Sequence, residues 1–237
     1  MARCSITASL VGNVIVAPSI LAADFSRLGD EIRRAENAGA DWIHCDIMDG
    51  HFVDNISFGP EIVGTVRRLT SLPLDVHLMI EHADHYVPRF AKAGANSITV
   101  HVEAEAKHDV PQTLRIIRDS GCRVGLALNP ETAFQLVEPF LHEIDMLLVM
   151  TVHPGFGGQA FRADQMEKVK RAAAWNRASE QGGSSARGGK IDIGVDGGVN
   201  AKTAHLSIES GANVLVAGTS IFHAQDYAQV IRDLRGS

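Results

Sequence analysis

Residues 37–47 read NAGADWIHCDI, residues 92–102 read KAGANSITVHV, and residues 209–218 read ESGANVLVAG. Each stretch places Ala/Ser-Gly-Ala-Asp/Asn directly before a run of apolar, largely β-branched residues. A glycine there can take the left-handed conformation that ends a helix, so the phrase reads as helix end, tight turn and strand start. Gly39, Gly94 and Gly211 fill this role, and Gly121 in DSGCRV (119–124) repeats it. Helices that return again and again to a new strand predict a parallel sheet.

Working outward from these phrases, strand-like runs fall at 14–21, 42–48, 74–80, 97–102, 123–129, 146–152, 191–197 and 213–218. Amphipathic segments such as 25–39, 83–94, 110–121 and 227–235 lie between or after them, apolar at i, i+3 and i+4. Eight βα units are the number that closes an α/β (β/α)8 TIM barrel, which is the expected fold; an open doubly wound sheet is the alternative. The 237 residues suit a single barrel domain, with 1–13 as an N-terminal extension. GGSSARGG (182–189) is expected to be a flexible loop on the N-terminal face of the barrel, away from chemistry.

Composition narrows the function. Hydrophobic residues make up 45% and charged residues 21%, with a mean hydropathy of +0.02, the balance of a globular chain with a sizeable core. A net charge of −6 and a pI near 6.0 argue against a nucleic-acid or anionic-membrane partner and leave room for a small phosphate. No stretch reaches the roughly 18 apolar residues of a membrane span, and the opening residues lack the apolar run of a signal peptide. Three cysteines without CxxC spacing predict reduced thiols in a cytoplasmic setting, with a plastid stroma as the alternative.

The strands also carry residues that a core should reject. Residues 43–55, IHCDIMDGHFVDN, place His44 and Asp46 inside a buried-looking run. An unpaired buried carboxylate costs several kcal/mol, so something must compensate. Alternation puts His44, Asp46 and Met48 on one face of the second strand, with Ile43, Cys45 and Ile47 on the other. His77 and Met79 are in phase on the third strand, Asp196 ends the seventh, and Ser19 lies in the first. Functional groups of this fold gather at strand C-termini. Two imidazoles and two carboxylates meeting there suit one divalent metal ion, with Zn, Fe, Mn and Co all compatible. His101, at the end of the fourth strand, is an intermediate case. His51, His82, His85, His108, His142, His205 and His223 fall in loops or helices and read as ordinary polar residues.

Glycines form a second constellation in HPGFGGQ (153–159), DGG (196–198) and AGTS (217–220), after the sixth, seventh and eighth strands. Such loops turn backbone N–H groups toward an anion, and a helix start after Thr219-Ser220 adds its dipole. No basic side chain is assigned to this anion, so backbone donors should dominate.

Taken together, APSILAADF (17–25), IHCDIMDGHFVDNISFGP (43–60), LDVHLMI (74–80), LALNPET (126–132), MTVHPGFGGQAF (150–161) and VDGGVN (195–200) resemble the ribulose-phosphate 3-epimerases. The resemblance runs from about residue 14 to the last helix and is most specific around DxMDGHFV and PGFGGQ. It implies a metal-dependent (β/α)8 isomerase that interconverts D-ribulose 5-phosphate and D-xylulose 5-phosphate, a small sugar phosphate, and by family habit a homo-oligomer. Carried over, it makes His44, Asp46, His77 and Asp196 the metal ligands, with Asp46 and Asp196 also the acid/base pair. Ser19 and His77 would contact substrate. Gly155, Phe156, Gly157, Gly158, Gly197, Gly198, Gly218 and Thr219 would surround its phosphate end, and Met48, Met79 and Met150 would line the site. Departures are Asp54 where proline is common, His153 before PGFGG, and the long 182–189 segment. Rival readings are an allulose 6-phosphate 3-epimerase, a non-catalytic sugar-phosphate barrel, and a decarboxylase or aldolase of the phosphate-binding barrels. The last would need Asp-x-Lys where this chain has Asp75-Val76-His77.

Overall fold

The computed structural model describes residues 14–182 and 190–236. Eight parallel strands form one ring: β1 (Ile15–Pro18), β2 (Ile43–Met48), β3 (Leu74–Met79), β4 (Ser97–His101), β5 (Arg123–Leu128), β6 (Met146–Met150), β7 (Asp192–Asp196) and β8 (Val214–Ala217). Pairing follows chain order from β2 to β8 and returns to β1, without the order reversal of a doubly wound sheet. The β1–β2 seam is joined by a bridge between Ser19 and His44 and by the Asp41 backbone N–H, which donates to Val16 O at 3.0 Å. The expected barrel is present. The N-terminal extension and all of the 182–189 segment except Gly182 lie outside the described residues.

The helices are α1 (Leu28–Asn37), α2 (Pro60–Leu69), α3 (Ala83–Ala93), α4 (Val110–Asp119), α5 (Met166–Gly182), α6 (Ala201–Ser210), α7 (Thr219–Phe222) and α8 (Tyr227–Arg235). Gly39, Gly94, Gly121 and Gly211 end α1, α3, α4 and α6 with φ between +81° and +110°. Behind them, Ala95 N–H donates to Phe90 O and Ala212 N–H to Ser207 O, which satisfies carbonyls the helices leave open.

The Asp or Asn of the repeated phrase (Asp41, Asn96, Asn213) has its own task, shared by Asp145 outside the phrase. Asp41 accepts the backbone N–H of Val16 (2.7 Å), Asn96 that of Leu74 (2.8 Å), Asp145 that of Val124 (2.7 Å) and Asn213 that of Ile193 (2.7 Å). Each residue stands just before an even-numbered strand and reaches back to the odd-numbered strand beside it. The bottom of the barrel is clamped in four pairs.

Three local expectations change. Strand β1 stops at Pro18, because Ser19 caps a 3-10 turn over Ile20–Ala22. The segment expected as a helix from residue 25 opens with a 3-10 turn, Phe25–Arg27, before α1. Between β5 and β6 the chain makes 3-10 turns at Phe134–Leu136 and Glu138–Phe140 in place of an α-helix. Pro139 lies in that segment, has no N–H to give, and its ring would crowd the carbonyl four residues earlier.

Alternation along β2 is as predicted. Ile43, Cys45 and Ile47 join the helix-facing core with Val63 and Val66 of α2, while Ile15, Trp42, Met146, Leu148 and Val214 fill the interior below the site. Cys45 is fully buried, and burial pushes its thiol pKa far up, as expected of a structural thiol.

Candidate active site

Register across β2 and β3 sets His44 beside Asp75, Asp46 beside His77 and Met48 beside Met79. Across β6 and β7, Met150 lies beside Asp196. Ligand atoms of His44, Asp46, His77 and Asp196 all fall within 4.8 Å of one another at the top of the barrel. His44 Nε2 lies 3.1 Å and His77 Nδ1 3.2 Å from Asp46 Oδ1; Asp196 Oδ2 is 4.0 Å and 3.6 Å from the same two nitrogens. Ligands bound tetrahedrally to one small divalent ion are about 3.4 Å apart, so the donor set fits such an ion. The support is also of the right kind: His44 Nδ1 lies 2.8 Å from Asp75 Oδ2, leaving Nε2 for the cluster. Ser19 donates its hydroxyl hydrogen to Asp46 Oδ2 at 2.5 Å.

The electrostatics separate the two carboxyls. Burial favours protonating Asp46, but His44 and His77 outweigh it and hold its pKa well below the usual carboxylate range. Burial raises the pKa of Asp196, and the charge of Asp46 raises it further. Burial works against charge on His44 and His77 too, yet the surrounding carboxyls raise both. A pair of acids pushed in opposite directions suits a site where one takes a proton and the other gives one.

Both carboxyls open onto a cavity of about 340 Å³ whose walls include Ser19, Met48, Met79 and Met150. The same cavity meets the loops after β6, β7 and β8 at Gly155, Phe156, Gly157, Gly158, Gly197, Gly198, Gly218 and Thr219. His44 and His77 lie behind this surface, fully buried. Gly197 and Gly198 have φ of +115° and +67°, and a Cβ on either would come within 2.7 Å of Val152 or of the Phe161 backbone. Among the described residues, no lysine or arginine lines the cavity, in keeping with an anion held by backbone donors. The helix after Gly218 is a single turn, Thr219–Phe222, so it offers free N–H groups rather than a long helix's dipole. Asn55 donates to Gly155 O at 2.6 Å and ties the loop after β2 to the loop after β6.

The family model for the ribulose-phosphate 3 epimerase family matches residues 15–222. A ribulose-phosphate 3-epimerase of Bacillus subtilis is 50% identical over 222 residues, covering 94% of this chain and 98% of the relative. The chloroplastic ribulose-5-phosphate-3-epimerase of Arabidopsis thaliana is 43% identical, covering 95% of this chain and 77% of the relative. The chain belongs to the ribulose-phosphate 3-epimerase family. It is an isomerase of the epimerase type. Solved structures with the same fold include a 3-hexulose-6-phosphate synthase of Salmonella typhimurium, at TM-score 0.66 and 15% identity over 94% of this chain and 97% of that one. KGPDC from Streptococcus mutans matches at TM-score 0.66 and 14% identity, over 94% of this chain and 96% of that one.

Within this epimerase, several residues near the site were given no role from sequence, His101 having been read only as an intermediate case. His223 and Gln159 line the cavity, although His223 read as an ordinary loop histidine. His101 is buried with Nε2 2.9 Å from His77 Nε2 and Nδ1 2.8 Å from Glu103 Oε2. Burial lowers the His101 pKa against the pull of Glu103. Burial also opposes charge on Glu103, but His101 and backbone and hydroxyl donors hold its pKa at about 2. The available signal was His101-Val102-Glu103, which repeats the spacing of His44-Cys45-Asp46 at a strand end. Asp49 organises the turn after β2 by accepting the backbone N–H groups of His51, Phe52 and Glu81. Among the described residues, no helix is long and apolar enough to cross a membrane.

Proposed function

We propose that this epimerase inverts C3 of D-ribulose 5-phosphate to give D-xylulose 5-phosphate, with Asp46 and Asp196 as the acid/base pair. The observation that carries the reading is that both carboxyls and all three glycine loops line one cavity. The carboxyls enter it from β2 and β7, strands separated by β8 and β1 in the ring. One carboxylate takes the C3 proton, and the C–H electron pair moves into a C2–C3 double bond as the ketone oxygen gains charge. The other carboxyl returns a proton to the opposite face, and the roles exchange in the reverse direction.

His44, Asp46, His77 and Asp196 would hold a divalent ion, which when bound would supply positive charge beside the developing oxyanion, worth on the order of several kcal/mol in comparable sites. Ser19 keeps Asp46 oriented and faces the sugar, whereas His77, expected to touch substrate, lies behind the cavity wall and serves as a ligand. Met48, Met79 and Met150 give a polarisable wall without an acidic proton. Backbone N–H groups at Gly155 to Gly158, Gly197, Gly198, Gly218 and Thr219 receive the phosphate. The decarboxylase and aldolase reading has no support, since His77 stands where that chemistry needs lysine. The compartment we propose is the cytoplasm, with a plastid stroma as the alternative, and the family resemblance adds a homo-oligomer.

Solvent deuterium should enter C3 of D-ribulose 5-phosphate at a rate that a chelator abolishes and added Zn, Fe, Mn or Co restores. Exchange that survives complete removal of metal would defeat the scheme. D-allulose 6-phosphate, run in parallel, should turn over with a lower kcat/KM; a higher value would reassign the substrate.

A further inference from the structure

We infer that Glu103, acting through His101, positions His77 for its ligand role by holding the hydrogen of that ring on the outer nitrogen, so that Nδ1 serves the Asp46–Asp196 cluster. The inference rests on the reading of His77 as a metal ligand. His44 is oriented by Asp75 directly, whereas among the described residues no carboxylate touches the outer nitrogen of His77. That nitrogen, Nε2, meets only another imidazole, His101 Nε2, at 2.9 Å. Two ring nitrogens this close need one proton between them, and the pair alone does not decide which ring owns it.

Glu103 breaks the tie. Its carboxylate accepts and cannot donate, so the His101 Nδ1 that lies 2.8 Å from Oε2 must carry hydrogen. A neutral His101 with its hydrogen at Nδ1 has a lone pair on Nε2, the nitrogen that faces His77. When a cation takes the place of hydrogen at Nδ1, which lies 3.2 Å from Asp46 Oδ1, His77 keeps its hydrogen on Nε2 and donates it to that lone pair.

Glu103 is itself held fast. Its other oxygen, Oε1, accepts the Asn129 backbone N–H at 2.7 Å and the Thr132 hydroxyl at 2.5 Å. Lys168 donates to the carbonyls of Asn129 and Pro130, both at 2.8 Å, and steadies that turn. Glu103 and His101 are thus positioning residues: His101 touches the ligand they direct, and Glu103 stands one step further away.

The anchoring makes Glu103→Gln a sharp test. Two donors keep the amide oxygen at the Oε1 place, so the NH₂ group faces His101 Nδ1 and inverts the relay. His101 should then be protonated at Nε2, and His77 should carry hydrogen on Nδ1, where a cation needs a lone pair. Ring-nitrogen NMR shifts of His101 in zinc-free protein should show hydrogen on Nδ1 in the wild type and on Nε2 in Glu103→Gln. Zinc affinity, read by chelator competition, should fall about 10–100-fold, as for other partners of ligating histidines.

Adding His101→Phe to Glu103→Gln removes the misdirected ring and should recover part of that affinity. A merely structural role predicts that the two losses accumulate instead. Hydrogen on Nε2 of His101 in the wild type, or unchanged zinc affinity in Glu103→Gln, would overturn the relay, and the first needs no variant to fold. Wild-type protein that takes no zinc would break the metal reading of the cluster instead, while the His101 shifts would still decide the tautomer.

Discussion

The two ends of the barrel use the same residue types for opposite purposes. At the bottom, Asp41, Asn96, Asp145 and Asn213 each accept a backbone N–H from the neighbouring strand, and Arg235 adds an ion pair to Asp41 at 2.6 Å. Every one of these polar groups is answered from within the chain. At the top, Asp46 and Asp196 face each other across two imidazoles, and their mutual repulsion adds to burial in raising the pKa of Asp196. A folded domain uses paired polar groups for stability and concentrates poorly matched ones where a ligand will complete them. The bottom is finished by folding, and the top is finished by binding.

Stripping the metal should produce the largest effect on the top alone: turnover lost, fold retained, activity regained on adding a divalent ion. Circular dichroism beside the assay checks this. At a metal concentration 100-fold above Kd, the loaded protein should gain about 2.7 kcal/mol of stability. Next come Asp46→Asn and Asp196→Asn, each expected to lower kcat by about a hundredfold or more, the usual scale for an acid/base residue. Asp196→Asn should melt no lower than the metal-free wild type, since it removes a like charge that the fold opposes. Near-normal turnover in either variant would erase the contrast between the two ends.

The bottom should respond in the reverse sense. Asn213→Ala leaves the Ile193 N–H without its acceptor and should cost about 1–3 kcal/mol in denaturant melts, with kcat per folded molecule unchanged. A fall in kcat there would mean that the ends are coupled. The smallest effect is expected from shortening the 182–189 segment, which lies in the sequence between α5 and β7. Steady-state kinetics should show no change.

Much of this arrangement was legible in the chain because it is periodic. The left-handed glycines, the strand alternation and the in-phase polar residues His44, Asp46, His77 and Asp196 all repeat at spacings that a strand or a helix end imposes. What escaped notice was set by contacts between distant segments. Glu103 lies beyond β4 and becomes meaningful only where Asn129 and Thr132 close over it. His223 looked like any loop histidine until the turn after β8 brought it to the cavity wall. The missing helix between β5 and β6 turns on Pro139, whose effect depends on a local competition that apolar periodicity does not register.

The sequence alone determined the barrel, its eight strands, the face on which the acids and histidines stand, and the kind of chemistry they suit. Local backbone preferences and alternation suffice for that, because each acts within a few residues. Only the tertiary structure decided that Asp46 and Asp196 share one cavity, that burial and neighbouring charge together act on them in opposite senses, and that His77, His101 and Glu103 form one chain of contacts. Those properties depend on distances between strands remote in the chain and on the removal of water around them, and both arise only when the ring closes.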